Sequence, residues 1–208
     1  MRLTVITGGG RGIGAATALR LAADCHDLVL GYVRDVGAAE TTAERVRALG
    51  VSCRPVCCDV TDEHDVDRLF DAAAELGQVT GVVNNAGSTL HLGDLGDTPV
   101  EVVRRVIDVN LVGAILVARR AVRDLTAGGA IVNLSSAAAT LGSPHEYVHY
   151  AAAKAGVDAL THGLAQEVAA WMSVRTMPGA TALTRMPRAA TSCARPCVSA
   201  STPALAAA

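Results

Sequence analysis

Tyr150 and Lys154 stand four residues apart at the head of an alanine-rich run, Tyr-Ala-Ala-Ala-Lys. A helix over that run puts positions i and i+4 on one face. An ammonium held beside a phenol favours the phenolate and lowers its pKa from the usual value of about 10. The pair therefore reads as a general acid/base usable near neutral pH. Ser136 follows an apolar run, Ile131 to Leu134, that has the pattern of a strand. A hydroxyl at that end can hydrogen-bond a substrate oxygen as charge develops on it. Tyr-x-x-x-Lys also arises by accident on helices, so the elements that would position these residues decide its meaning.

The first such element is a strand, Leu3 to Thr7, running into Gly8-Gly9-Gly10-Arg11-Gly12-Ile13-Gly14. An apolar-periodic helix follows through Ala15, Leu19, Leu21 and Ala22. Strand, glycine turn and helix form the context that a phosphate-binding turn requires. The glycines let backbone approach a pyrophosphate, and the helix N-terminus supplies free N–H groups. A second strand, Leu28 to Tyr32, should end near an adenosine ribose. An acid there would bond the 2′-hydroxyl and repel a 2′-phosphate. Tyr32 occupies that place, with Arg34 two residues on and Arg11 inside the glycine turn. Two guanidiniums near a 2′-phosphate favour NADP(H) over NAD(H). Asp35 argues the other way, because a register shift of a few residues would put it at the ribose.

Val36 to Leu49 reads as an amphipathic helix ended by Gly50, and Ser52 to Cys58 as a third strand closed by Asp59-Val60. Asp59 could bond an adenine amino group or cap the next helix. Gly81-Val82-Val83 is a fourth strand, ending in Asn84-Asn85-Ala86-Gly87, a loop suited to lie against a flat ring. Thr98-Pro99-Val100-Glu101 has the form of a capping box. It opens a long helix whose apolar stripe contains Asn110, a residue that buried needs partners and can distort a helix. Alternating strands and helices imply a parallel sheet with ligands at the strands' carboxyl ends.

The 208 residues suit one domain with a sizeable core. A net charge of -2 and no basic stripe argue against nucleic acid. No apolar run is long enough for a membrane span. The N-terminus enters a strand without signal-peptide architecture, which suggests a cytoplasmic protein. The six cysteines, Cys25, Cys53, Cys57, Cys58, Cys193 and Cys197, form no regular framework and no metal-ligand spacing, so no metal is expected.

Thr-Gly-Gly-Gly-Arg-Gly-Ile-Gly, Asp59-Val60, Asn-Asn-Ala-Gly, Asn110, Ser136 and Tyr-Ala-Ala-Ala-Lys occur together and in order. This set closely resembles the short-chain dehydrogenase/reductase family over about residues 3 to 170. The resemblance implies an α/β, Rossmann-type doubly wound parallel sheet. It also implies hydride transfer between NAD(P)(H) and a small-molecule carbonyl or alcohol. By resemblance Tyr150 is the general acid/base, and Lys154 lowers its pKa and bonds the nicotinamide ribose. Ser136, with Ser135 as the adjacent alternative, would polarise the carbonyl, and Asn110 would anchor a relay water. Gly8, Gly12 and Gly14 would form the pyrophosphate turn with Arg11 and Ile13. Asp59 and Val60 would meet adenine, while Asn84, Ala86 and Gly87 would support the sheet and the cofactor. Tyr147 is a decoy, seven residues from Lys154. The Ser136–Tyr150 interval is one residue longer than the commonest family spacing.

Residues 1–170 thus read as the catalytic domain and 171–208 as a divergent segment. After Glu167 the chain contains no Asp, Glu or Lys. Val174 to Gly179 resembles the family's sixth strand and its Pro178-Gly179 turn, which also meets the cofactor. No lid helix or terminal strand is legible beyond it. The expectation is a truncated or frame-altered C-terminus, with the last family strand and the substrate lid lacking. A rival reading is therefore a catalytically impaired nucleotide-binding protein without turnover. The family usually forms dimers or tetramers through helices matching Val100–Leu125 and Tyr150–Ala170, so a homo-oligomer is expected.

Overall fold

The computed structural model describes residues 2–178. Its elements are β1 (Arg2–Ile6), α1 (Gly12–Ala23), β2 (His26–Tyr32), α2 (Val36–Arg47), β3 (Cys53–Cys57), α3 (Glu63–Ala74) and β4 (Val79–Asn84). They continue as α4 (Val100–Ile107), α5 (Gly113–Asp124), β5 (Ala130–Ser135), α6 (Ala138–Leu141), α7 (Val148–Glu167) and β6 (Ser173–Pro178). The six strands form one sheet in the order β3-β2-β1-β4-β5-β6, and every neighbouring pair is parallel. This is the doubly wound α/β sheet that the sequence pattern predicts.

Period-two alternation divides the strand residues between two cores. Val5, Val29, Val82 and Ile131 pack with Leu69 and Phe70 of α3 and with Val117 of α5. Ile6, Leu28, Leu30, Val83 and Leu134 pack with Ala18 and Leu21 of α1 and with Val46 of α2. β1 lies beside β4, and the connection from β1 to β2 runs to one side while that from β4 to β5 runs to the other. The carboxyl ends of β1 and β4 then open the crevice where ligands bind in such sheets.

Local chemistry fixes the helix starts. Asp35 caps α2 by accepting from Ala38 N, and Asp62 caps α3 by accepting from His64 N. The capping box expected at Thr98 does not form: Pro99 holds the cap position, and Thr98 Oγ1 donates to Asp94 O at 3.0 Å. Thr98 instead closes a short 3₁₀ turn, Leu95–Asp97. The predicted distortion at Asn110 is present. A wider π turn, Asp108–Val112, joins α4 to α5.

β6 supplies the short strand expected before the Pro-Gly turn, pairing Val174 with Ile131 and Pro178 with Ser135. Gly179, the tail and the expected loss of a last strand and lid lie outside the described residues. Among the described residues no helix is long and apolar enough to cross a membrane.

Candidate active site

The glycine turn sits in the crevice and is built around close backbone approach. Gly8 and Gly12 hold left-handed backbone, with φ of +66° and +56°. A Cβ at Gly14 would lie 2.3 Å from the Gly8 carbonyl oxygen, so no side chain fits there. Thr7 Oγ1 accepts from the N–H groups of Asn85 and Ala86, each at 3.0 Å. Asn85 Nδ2 returns bonds to Thr7 O at 2.8 Å and Gly8 O at 3.1 Å. Thr7 and Asn85 thus stitch the glycine turn to the loop after β4: the two amides suit a loop that pairs backbone groups, while the part played by Thr7 is one that sequence reasoning missed. A threonine closing β1 and the second amide of the Asn-Asn pair were the signals available.

Arg11 at the start of α1 makes no side-chain cap, which leaves the first-turn N–H groups to a ligand. Ile13 packs against the α1–α2 core and anchors that turn. A Cβ at Gly12 would meet nothing within 4 Å, so space lies beside the same turn.

At the adenosine end, Tyr32 ends β2 and is half-buried, while Arg34 and Arg11 are exposed. Neither arginine forms an ion pair among the described residues. Asp35, the residue that argued for NAD(H), is spent on the α2 cap. Asp59 accepts from Thr61 N at 3.0 Å, Thr61 Oγ1 at 2.8 Å and Arg105 Nη2 at 3.1 Å. These bonds hold its carboxyl below the usual range against the opposing effect of burial. It is not the helix cap, since Asp62 has that place. The Val60 side chain is 3% exposed and crowds Gly113 of α5, so it belongs to the core.

Asn84 is also committed to structure. Its Nδ2 donates to Ala114 O at 2.9 Å and Asn133 Oδ1 at 3.1 Å. Its side chain supports the sheet and leaves no N–H for a cofactor, while Ala86 and Gly87 carry the loop into the crevice.

The catalytic candidates converge from β5, α7 and the π turn. Ser136, one residue past β5, accepts from Ala138 N at 3.2 Å, and its hydroxyl favours the ionised form of the Tyr150 phenol. Ser135, the alternative, is buried and donates to Lys154 O at 3.3 Å, which assigns it to the framework. Tyr147 packs edge-on against Tyr150, ring centroids 5.4 Å apart. Lys154 Nζ lies 5.7 Å from the Tyr150 ring centroid and donates to Leu134 O at 2.8 Å. A Cβ at Gly87 would sit 2.8 Å from Asn110 Oδ1 and 3.6 Å from Lys154 Nζ, so these groups face one loop. Asn110 is 1% exposed and clasps Ser88, donating to its carbonyl at 2.7 Å and accepting from its N–H at 3.2 Å. Its other N–H goes to Val106 O at 2.9 Å, so only an oxygen lone pair remains for a water.

The expected lowering of the phenol's pKa is not found. Burial pushes Tyr150 up, the Ser136 hydroxyl offsets part of this, and Tyr147 adds to the rise. The lysine instead responds to its own burial, which lowers Lys154 to about 8 against the opposing pull of Asp158. Ser136 also lines a cavity of about 670 Å³ with Asp158, His162 and Arg175, but Tyr150 and Lys154 are not in its walls.

These residues fit a dinucleotide. Lys154 is 4% exposed and spends one of its three N–H groups on Leu134 O. The remaining donors, beside Gly87 and Tyr150, suit a hydroxyl-bearing ring such as a ribose. The uncapped first turn of α1 suits its pyrophosphate.

Comparison with known proteins agrees with this geometry. A family model described as short chain dehydrogenase matches residues 2–193. The chain is 38% identical over 176 residues to the uncharacterized oxidoreductase YgfF of Escherichia coli K12, covering 82% of this chain and 71% of that protein. It is 39% identical over 173 residues to 3beta-hydroxysteroid dehydrogenase 1 of Eggerthella lenta, covering 81% and 65% respectively. A short chain dehydrogenase from Burkholderia cenocepacia J2315 in complex with NADP superposes with a TM-score of 0.80 at 33% identity, covering 84% of this chain and 72% of that one.

Proposed function

Since the chain belongs to the short chain dehydrogenase family, NAD(P)-dependent oxidoreductases of alcohols and carbonyls, we propose that it is an NADP(H)-preferring carbonyl reductase with Tyr150 as general acid/base. The observation that carries this reading is the Tyr150–Lys154 pair on α7, an ammonium 5.7 Å from the phenol ring, with Ser136 at the end of β5 favouring the phenol's ionised form.

The glycine turn and Lys154 would hold a nicotinamide dinucleotide, which would supply hydride chemistry at the carbonyl carbon in either direction. Ser136 donates a hydrogen bond to the substrate oxygen and fixes its position against Tyr150. The Tyr150 phenol gives its proton to that oxygen as negative charge develops. Burial keeps the phenol neutral and able to donate at neutral pH. Lys154, at about 8, is mostly an ammonium at pH 7 and stabilises the phenolate left behind. Alcohol oxidation runs the same steps backwards, with the phenolate taking the hydroxyl proton.

Arg11 and Arg34, exposed and without ion pairs among the described residues, support the NADP(H) preference, as does the NADP bound to the Burkholderia relative. Val112 and Ile115, 38% and 40% exposed on the face beginning α5, support assembly of two copies through α4–α5 and α7.

The test is thermal unfolding with NADPH or NADH, followed by NADPH oxidation against a panel of ketones. A larger shift with NADPH together with ketone-dependent oxidation is the expected result. A shift without turnover of any ketone would favour the rival reading, nucleotide binding alone. No shift with either cofactor would sink both.

A further inference from the structure

Directly before Tyr150, in the first turn of α7, stands a buried histidine that the chemistry above does not use. His149 is 4% exposed. Its Nε2 lies 3.2 Å from the Leu90 carbonyl oxygen, so Nε2 carries a proton and donates it. Its Nδ1 is buried and has no partner among the described residues. A buried acceptor left alone is destabilising, and an apolar side chain of similar size would avoid it. What histidine supplies in return is the bond to Leu90.

Leu90 belongs to the loop between β4 and α4, and that loop is held along its length. Asn110 clasps Ser88 through both of its amide ends. Gly93 N donates to Glu146 O at 2.9 Å, and His145 Nδ1 lies 2.7 Å from Asp94 Oδ1. The His149 bond is the one among these that comes from the helix bearing Tyr150 and Lys154. His91, Ser143 and His145 hold left-handed backbone, with φ of +59°, +46° and +62°. Such conformations persist where surrounding contacts over-determine the chain. The loop so fastened carries Leu90, Leu92 and Leu95 at 38%, 72% and 53% exposure, an exposed apolar segment held against the start of the Tyr150 helix.

We propose that His149 is a positioning residue. By holding the Leu90 carbonyl it sets the Ser88–Asp94 loop against the Tyr150 helix, and the leucines of that loop select a carbonyl substrate with an apolar body. The substrate half rests on the reductase reading above, while the loop clasp stands independently of it.

The experiment compares the full-length chain with His149→Leu, His149→Gln and Leu92→Ser. Glutamine can present an amide N–H to Leu90, and leucine cannot. Amide hydrogen exchange of residues 89–94, measured without cofactor, reads the clasp directly. The expected result is at least tenfold faster exchange in His149→Leu and near wild-type protection in His149→Gln. Unchanged exchange in His149→Leu, or no recovery with glutamine, overturns the clasp. Kinetics with cyclohexanone and acetone read the selection. His149→Leu and Leu92→Ser should each raise KM for cyclohexanone at least fivefold more than KM for acetone, with a smaller change in kcat. Parallel changes for both ketones overturn the substrate half, and Leu92→Ser, at an exposed position, decides it should His149→Leu fail to fold. A wild-type chain that reduces neither ketone would remove the reductase reading and the substrate half with it, leaving exchange to decide the clasp.

Discussion

Asn84 and Asn133 are direct register partners across β4 and β5, and Asn84 Nδ2 donates to Asn133 Oδ1 at 3.1 Å inside the protein. The chain of bonds continues, with Asn133 Nδ2 donating to Thr161 Oγ1 at 2.9 Å and Thr161 Oγ1 to Val157 O at 2.7 Å. Both asparagines and Thr161 are buried. The network therefore fixes the rotation of α7, and with it Tyr150 and Lys154, against the centre of the sheet. Asn133→Val removes the middle link and leaves the Asn84 and Thr161 partners short. We expect a loss of about 1–3 kcal/mol in unfolding free energy, read by urea titration. A neutral substitution would show that the buried amides are satisfied in some other way.

Tyr150→Phe keeps the ring and its packing on Tyr147 while deleting the proton donor. General acid/base groups contribute roughly 10²–10⁴-fold, so kcat should fall by at least a hundredfold. The thermal shift given by NADPH should stay close to that of the wild type. Turnover equal to the wild type would remove Tyr150 from the mechanism.

The motifs were legible because their residue types answer to strict local demands. Gly14 has no room for a Cβ, and Asn110 breaks an apolar stripe, so both can be seen without a structure. The division into two cores follows from alternation along β1, β2 and β4, whereas the doubly wound sheet was implied by the family resemblance. What the sequence hid depends on three-dimensional competition. Asp62 took the α3 cap, which left Asp59 to Arg105, and Pro99 took the α4 cap position, which left Thr98 to close a 3₁₀ turn. The raised phenol was hidden for a similar reason. Spacing places Lys154 on the face of Tyr150, but how much water each group loses is a property of the packed site. Thr7, Asn85 and His149 act through loops distant in sequence, and no single-chain periodicity marks them.

Arg34→Ala tests the cofactor preference at an exposed position with no ion pair to break among the described residues. Removing the guanidinium should weaken NADPH binding about tenfold or more, a charge-assisted bond being worth roughly 1.5–3 kcal/mol. NADH binding should change by less than twofold, and added salt should narrow the gap between wild type and variant. Calorimetric titration of both cofactors reads this. Equal losses for the two would discard the 2′-phosphate assignment.

Lys154 gives the protein a pH signature of its own. Its pKa is about 8 in the folded chain, below the ordinary 10.5, because burial disfavours the ammonium. Below pH 8 both folded and unfolded chains hold the proton, and the cost of a buried charge is present in full. Between pH 8 and 10.5 the unfolded chain binds more protons than the folded one, so this contribution to stability rises with pH. Lys154→Met has no such titration. The stability of the wild type relative to that variant should therefore improve by roughly 2–3 kcal/mol from pH 7 to pH 10. Paired urea titrations at the two pH values cancel the other titrating groups. A difference that stays flat with pH would mean that Lys154 keeps its ordinary proton affinity. In that case Tyr150 would sit beside a solvated ammonium, and the phenolate formed in each turnover would be stabilised through water.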